Sequence, residues 1–576
     1  MNPMQNVDGN EPTGNRAQRR AASRRSKKLV AMGSGAVLVA GITGPTVLSQ
    51  SPVSAAATFT VTSLGDSGAG TLRDAIDSAN SAAGDDIINF QTGLTGTITL
   101  ASDLPKLYEA VAIEGPGATV VTVDGGGTSS GGGNSIFNFY QIASGTNSVS
   151  GLTLTHGTAD NDDGSGGAIT VIDGSSDVNL TDLVITENYA ENDGGGVELE
   201  NAAGNVTITN TVISNNNADS GGGGLYADSG GEGTLTVTIN NSTISGNTAG
   251  SSGGGLYAND IDLVINDSTI SGNDSYSSGG GLYLDDTTAT VTNSTISGNT
   301  AAGGGGGVAL YNSSNYSFTM RNSTVSGNST LYYGGGFYIN DSSEGPVTIE
   351  NSTISDNTAT KNAGAIYGAY GGLTIIQTTI TDNHVIDSGA EATVGGVQLG
   401  GTPNGAAPQR AHKTAREQAR GKTGRRAQAT PPMAGNAEME LVGTIIAGND
   451  GQDIGIYGGA PTVSSDHSVL GTIDPGVPVT ADVGTQLGVA DPKLGLLASN
   501  GGPTKTHALL DGSPALDKGP NPEPTFTGSE FDQRGPGYDR VSNGVADVGA
   551  YEVQFVEPPA PPAPAVEPEV VPTFTG

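Results

Sequence analysis

The chain has 576 residues and a formal net charge of −35, with 92 Gly, 28 Pro, no Cys and no Trp. Zero Cys excludes disulfides, thiolate metal sites and Cys nucleophiles, and so acidic a body repels nucleic-acid phosphates. Gly and Pro at this level would suit a disordered chain, but periodic apolar columns run through most of the length.

The basic residues are unevenly placed. Of 23 Lys and Arg, seven lie between Arg16 and Lys28 and seven between Arg410 and Arg426. The first seven precede an apolar stretch from Leu29 to Ile42 and a small-residue end at Val53-Ser54-Ala55-Ala56-Ala57. That order is the pattern of a secretory leader cleaved after Ala55 or Ala57. Residues 1–57 are therefore predicted to be a signal peptide. The mature chain is predicted to be extracellular or at the cell surface, without a transmembrane span.

Residues 58–146 are predicted to cap and begin the fold. Thr58–Thr62 alternates as a strand does, and Leu72, Ala75, Ile76 and Ala79 make one apolar helix face. A helix there would cover the core and the unpaired strand edges of a first coil. Short strands follow at Ile87–Phe90, Ile98–Leu100, Val111–Ile113 and Val120–Val123.

Residues 147–470 carry the repeats. Three apolar residues and an Asn recur at intervals of 2, 5 and 3, as in Val206, Ile208, Ile213, Asn216 and again in Val237, Ile239, Ile244, Asn247. Eight clear copies run from Val178 to Asn383, and Met439, Leu441, Ile446, Asn449 make a ninth. The pair two apart shares one strand face, and the odd interval of five needs a bend. Asp182, Asn210, Asn241, Asp267, Asn293, Asn322, Asn351 and Gln377 stand at that bend, as residues that tolerate left-handed backbone and bond their own turns do. A Gly run and a third strand, such as Gly255-Leu256-Tyr257-Ala258, complete each copy. The expected fold is an all-β parallel β-helix with three strands per coil, coils stacked about 4.8 Å apart, and Asn ladders at the tight corner. The repeated Asn-Ser-Thr at Asn241, Asn293, Asn322 and Asn351 matches a glycosylation acceptor, and reads better as part of the corner.

Residues 402–437 interrupt the repeats with seven basic residues against Glu417, flanked by Pro403, Pro408, Pro431 and Pro432. This is expected to be a disordered insertion, or a basic arm for an anionic glycan or for the acidic body itself. Residues 471–553 are aperiodic and are expected to cap the last coil. Residues 554–576 form a Pro-rich, extended tail.

Three resemblances rest on these residues. Thr60-Val61-Thr62-Ser63-Leu64 through Gly70-Thr71-Leu72-Arg73-Asp74-Ala75-Ile76 resembles the N-terminal segment of secreted β-helix proteins, pectate lyases among them. Ile244-Ser245-Gly246-Asn247 with Gly254-Gly255-Leu256-Tyr257, and Asn357 with Gly364-Ala365-Ile366-Tyr367, resemble repeats of the polymorphic outer membrane proteins. Asn500-Gly501-Gly502-Pro503-Thr504, Thr506-His507-Ala508-Leu509, Gly512-Ser513-Pro514-Ala515-Leu516-Asp517, Asp532-Gln533-Arg534-Gly535 and Asp547-Val548-Gly549-Ala550-Tyr551-Glu552 resemble the choice-of-anchor Q region. The resemblance implies a bacterial secreted or surface protein with a right-handed parallel β-helix. Pro572-Thr573-Phe574-Thr575-Gly576 departs from a sortase signal.

Candidate chemistry is sparse. A lyase asks for a Lys or Arg base and an acid-held cation, yet Arg321 and Lys361 stand alone among the repeats at non-equivalent places. A hydrolase needs two carboxylates at a set separation, but Asp162-Asp163, Asp285-Asp286 and Glu198 with Glu200 distinguish no pair. His156, His384, His412, His467 and His507 show no metal spacing. Asp160–Gly164 and Glu191–Gly194 are acidic, Gly-rich turns of a kind that can hold calcium, but they miss the calcium-loop pattern, so no cofactor or metal is assigned. The array that stands out is Tyr226, Tyr257, Tyr283, Tyr338 and Tyr367, each next to an inward Leu, Phe or Ile and so pointing outward. Glu198, Ala309 and Gln398 hold equivalent places. An exposed Tyr column is a candidate glycan-binding platform, or simply a run of good strand formers. The expected function is non-catalytic adhesion or extracellular glycan contact; the alternative is a polysaccharide lyase or glycoside hydrolase on a pectin-like substrate.

Overall fold

A computed structural model describes residues 56–159, 166–231, 233–311, 316–340, 346–368, 372–386, 393–400, 437–457 and 461–555. The predicted signal peptide (1–57), the basic insertion (402–437) and the Pro-rich tail (554–576) lie outside the described residues, apart from their edges.

The chain winds as a parallel β-helix. The central coils each contribute to four ladders, illustrated by Gly204–Thr209 (I), Val212–Ser214 (II), Asn217–Ala218 (III) and Leu225–Asp228 (IV). Among the described residues the ladders contain 15, 14, 9 and 11 strands respectively, each strand paired with its counterpart one coil away. Three strands per coil were expected, and ladder III is the correction. Its strands have two residues, too few to show alternation, and their second residue fills the interior as Ala218, Ala249, Ala301 and Ala359, all fully buried.

The register is the one the intervals dictate. Val206 pairs with Val237 and Ile208 with Ile239 in ladder I, and Ile213 pairs with Ile244 in ladder II. All these side chains lie in one core cluster that runs from Val61 to Val477. The bend residues, from Asp182 to Gln377, all have positive φ, between 44° and 54°, the left-handed conformation that Asn and Asp accept most readily.

The tight corner is a buried ladder. Asn247 Nδ2 donates to Asn273 Oδ1 at 2.9 Å and to the Ile213 carbonyl at 3.0 Å, while the Asn247 amide donates to the same Asn273 Oδ1 at 3.0 Å. The pattern repeats from Asn188 to Asn449, where Asp453 Oδ1 ends it by accepting from the Asn449 amide and Nδ2. Burial raises the Asp453 carboxyl pKa above its ordinary value. Each Asn thus satisfies backbone groups that would otherwise cost about 1–3 kcal/mol if left unpaired.

The Gly run is explained by close approach. Gly253 has φ of +73°, and a Cβ on Gly254 would sit 2.5 Å from the carbonyl oxygens of Asp274 and Gly280 in the next coil. No side chain fits in that gap.

At the N-terminal end, helix α1 (Leu72–Ser81) is capped by the Thr71 side chain, which accepts from the Asp74 amide. Its buried face, Leu72, Ala75, Ile76 and Ala79, joins the core cluster beside the first strands of ladder I. These are the four residues that the sequence spacing places on the apolar face.

The region expected to cap the last coil does something else. Short strands at Val479–Ala481 and Gln486–Leu487 do finish ladders I and II. From Pro492 onward, however, the chain turns back and lies along the outer side of ladder II. Thr504 Oγ1 donates to the Asn322 carbonyl, His507 Nε2 meets Ser355 Oγ at 2.7 Å, and the Ala550 amide donates to Thr379 Oγ1. We call residues 492–555 the flank. It covers the side of the coils because its polar side chains match the ladder II hydroxyls, and its apolar side chains Leu509, Ala515 and Val548 cover Ile445, Ala447 and Val469.

Candidate ligand-contact face

Ladder IV sends alternate residues inward and outward. Leu225, Leu256, Leu282, Phe337 and Ile366 are fully buried in the core, so Tyr226, Tyr257, Tyr283, Tyr338 and Tyr367 project from the opposite side in register. Parallel pairing brings each ring over the next. Ring centroids are 5.0 Å apart for Tyr226–Tyr257, 4.9 Å for Tyr257–Tyr283 and 5.3 Å for Tyr338–Tyr367, with interplanar angles of 15°, 14° and 6°.

The stack does not break at Ala309. Tyr311, two residues on, swings its ring into the gap, 5.0 Å from Tyr283 and 5.7 Å from Tyr338. Tyr311 was not singled out from the sequence; the signal was present as an Ala in the column with a Tyr on the same strand face. Burial, then the charges of Tyr338 and Asp285, push the Tyr311 phenol pKa well above its ordinary value. Tyr333 adds a seventh ring, 5.1 Å from Tyr367.

The rings are less exposed than a platform implies. Tyr226, Tyr338 and Tyr367 are 6%, 7% and 1% exposed, while Tyr257, Tyr283 and Tyr311 are half-buried. Two causes act together. Each ring face is occupied by its neighbour, and the Gly corner folds against the column: a Cβ on Gly304 would meet Tyr338 Cδ2 at 2.7 Å, and one on Gly221 would meet Tyr257 Cδ2 at 3.3 Å. Ring edges and hydroxyls, rather than faces, are what the column presents.

A second row runs beside it, also from ladder IV: Glu200, Asp228, Asn259 and Asp285. Asp228 accepts from Asn259 Nδ2 at 2.8 Å and from the Tyr226 hydroxyl at 3.5 Å. At the adjoining corner, Asp260 accepts from the Tyr316 hydroxyl at 2.7 Å. The face therefore offers phenol hydroxyls, carboxylates and an amide at the coil repeat. Glu198 and Gln398 extend the Tyr column at its two ends, both buried.

The other candidate residues are spread over the molecule. Arg321 pairs with Glu350 across neighbouring strands of ladder I, which occupies the group a lyase base would need free. His156 sits between Asp124 and Glu187, His384 beside Asp450, and His467 beside Asp466. His507 is buried, its two ring nitrogens on the Gly495 carbonyl and Ser355 Oγ. The carboxylate of Asp193 accepts from the Gly221 amide and so anchors the next coil. Among the described residues, no group of three or more His, Asp or Glu is arranged to hold a metal ion. Asp160–Gly164 and His412 lie outside them, Asp160 to Gly164 and His412 alike.

Residues of the proposed anchor motif build the flank itself. Arg534 is buried, paired with Asp532 at 2.6 Å and sandwiched between the Tyr538 and Tyr551 rings at 3.9 Å each. Gln533 Nε2 reaches the Ser323 carbonyl, Thr324 Oγ1 and Thr504 Oγ1, and its Oε1 accepts from Thr353 Oγ1. Arg540 donates to Asn351 and the Gly549 carbonyl.

Residues 140–346 and 219–404 match the family model described as a right handed beta helix region. No curated protein and no solved structure matches the chain. Among the described residues no helix is long and apolar enough to cross a membrane. The matched residues, 140–404, lie within the coils, and the described residues are built as a parallel β-helix of stacked repeats.

Proposed function

We propose that the protein is exported and works, without catalysis, as an adhesive or glycan-contacting β-helix of the extracellular space or cell surface. The leader-like residues 1–57 and the acidic composition support export. The observation that carries the reading is the unbroken Tyr226–Tyr367 stack with its parallel row of Asp228, Asn259 and Asp285. Rows of similar hydrogen-bonding groups recurring from coil to coil suit a polymer with a repeat of its own, such as a polysaccharide lying along the axis. Recognition would run through phenol hydroxyls and carboxylates to sugar hydroxyls, because the ring faces are already stacked. The alternative, a pectin-directed lyase or hydrolase, gains no base from Arg321, which Glu350 engages.

A glycan array probed with the full chain and with the Tyr257→Phe/Tyr283→Phe double variant tests this. The double variant keeps the rings and removes two hydroxyls at half-buried positions. Binding by the wild type that weakens at least tenfold in the variant supports the proposal. No carbohydrate binding by the wild type, or binding indifferent to the substitution, overturns it.

A further inference from the structure

The outer side of ladder II is uniform in residue type but not in environment. Thr324, Thr353 and Thr379 are fully buried or nearly so under the flank, and each bonds to it: Thr324 Oγ1 to the Lys505 carbonyl, Thr353 Oγ1 to Gln533, Thr379 Oγ1 to the Ala550 amide. One to three coils earlier the same positions are Thr243, Thr269 and Thr295, with Ser245, Ser271 and Ser297 two residues on. These six side chains are half-buried, and none of their hydroxyls makes a hydrogen bond to the described residues. Ser214 and Thr186 continue the second column toward the N-terminus, with Val212 and Val184 beside them in the first.

The geometry of this area, left uncovered by the described residues, is fixed by the fold. Ladder II pairs without a register shift from Val184 to Thr295, so hydroxyls recur at about 4.8 Å along the axis and about 6.6 Å across each strand, two residues apart. One edge is kept low by Gly246, Gly272 and Gly298, all at positive φ. Ile244, Ile270 and Ile296 point inward and are almost wholly buried, which holds the strands rigid from beneath. None of the three strands carries a charge, in a chain of net charge −35. The outer side of ladder I is also rich in Thr, but Asp262, Arg321, Glu350, Glu438 and Glu440 interrupt it.

We propose that this uncharged hydroxyl lattice is an ice-binding face, its ligand the crystalline surface of frozen water. Three features converge on that chemistry. A charged or flexible ligand has no complement here, whereas a neutral lattice of donors and acceptors does. The axial spacing lies close to the shortest distance at which oxygen atoms repeat on low-index faces of hexagonal ice. The hydroxyls are rigidly held, so that ordering them costs little on binding, and the β-branched Thr and Val methyls between them exclude loose water. The flank shows that the same ladder engages neutral donors and acceptors wherever they are in register with it, and its edge at Asn322 marks where the open area begins.

The test is incorporation of the full chain into a slowly growing ice hemisphere, together with inhibition of ice recrystallisation. The wild type is expected to enter the ice and to slow recrystallisation. The Thr269→Lys variant, with a long charge at the centre of the lattice, is expected to need at least tenfold more protein for the same effect. Asp262→Lys, outside the lattice, is expected to behave as the wild type, and matched thermal melts for all three exclude misfolding as the cause. Exclusion of the wild type from ice overturns the proposal. So does equal activity of Thr269→Lys, and so does exclusion from ice with retention on microcrystalline cellulose, which would give the lattice to a solid polysaccharide.

Discussion

Between Asn188 and Asn449 each clear repeat places the same side chain in the same buried site, bonded to its own copy in the next coil. Between Pro492 and Glu552 the flank makes each contact once, through Arg534, Gln533, His507 and Arg540. The coils are held by repetition and the flank by singular polar matches. A repeated device spreads a local defect over its neighbours, because stability in a stacked repeat is a sum of coil and interface contributions. A singular one fails at a single substitution. The flank is therefore expected to be the separable part of the molecule.

The largest effect should follow Arg534→Ala. It removes a buried partner of Asp532 and the cation between Tyr538 and Tyr551, and breaking such a pair costs about 3–5 kcal/mol. Limited proteolysis is expected to cut within residues 492–555 of the variant while the coils from Val178 to Asn383 stay intact. Equal resistance of variant and wild-type flanks would remove the contrast. Asn273→Ala should cost less, about 1–3 kcal/mol for the backbone groups it strands. Those groups are the Asn247 amide and the Ile244 carbonyl. The loss should appear in chemical denaturation as a lower midpoint; no change would mean that the Asn ladder is ornamental.

How far the sequence foretold this molecule depends on whether a feature repeats. The intervals of Val206, Ile208, Ile213 and Asn216 gave away ladders I and II, the bend and the buried Asn, since each is seen again in every coil. Ladder III escaped because two residues such as Thr248–Ala249 cannot display a period. The Tyr column was legible, but its burial was not, because a ring's covering comes from its neighbours and from the Gly corner rather than from its own strand. The path of the flank was illegible for a plainer reason. His507 meets Ser355 and Gln533 meets Ser323, partners 152 and 210 residues away, and nothing near either residue announces them. The motif to which they belong was visible; its role as a set of contacts to the side of the coils was not.

The remaining prediction probes the contrast without altering the chain. Burial raises the carboxyl pKa of Glu552 to about 8, backbone donors at Asp547 and Ser542 offsetting only part of it. Burial likewise raises Glu523 to about 7, against the lowering by Arg540 and Gln377. In an unfolded chain both titrate near 4.3, so between that pH and about 8 the folded flank holds protons that the unfolded flank has released. Stability of the flank is then greatest at acid pH and is lost as pH rises through 7 and 8. The most direct measurement is hydrogen exchange of the full chain at pH 5.5 and 8.5, corrected for the intrinsic pH dependence of exchange. Protection of residues 492–555 is expected to fall at the higher pH while the Asn-ladder coils keep theirs. Protection that is unchanged in both regions, or that falls equally in both, would contradict it.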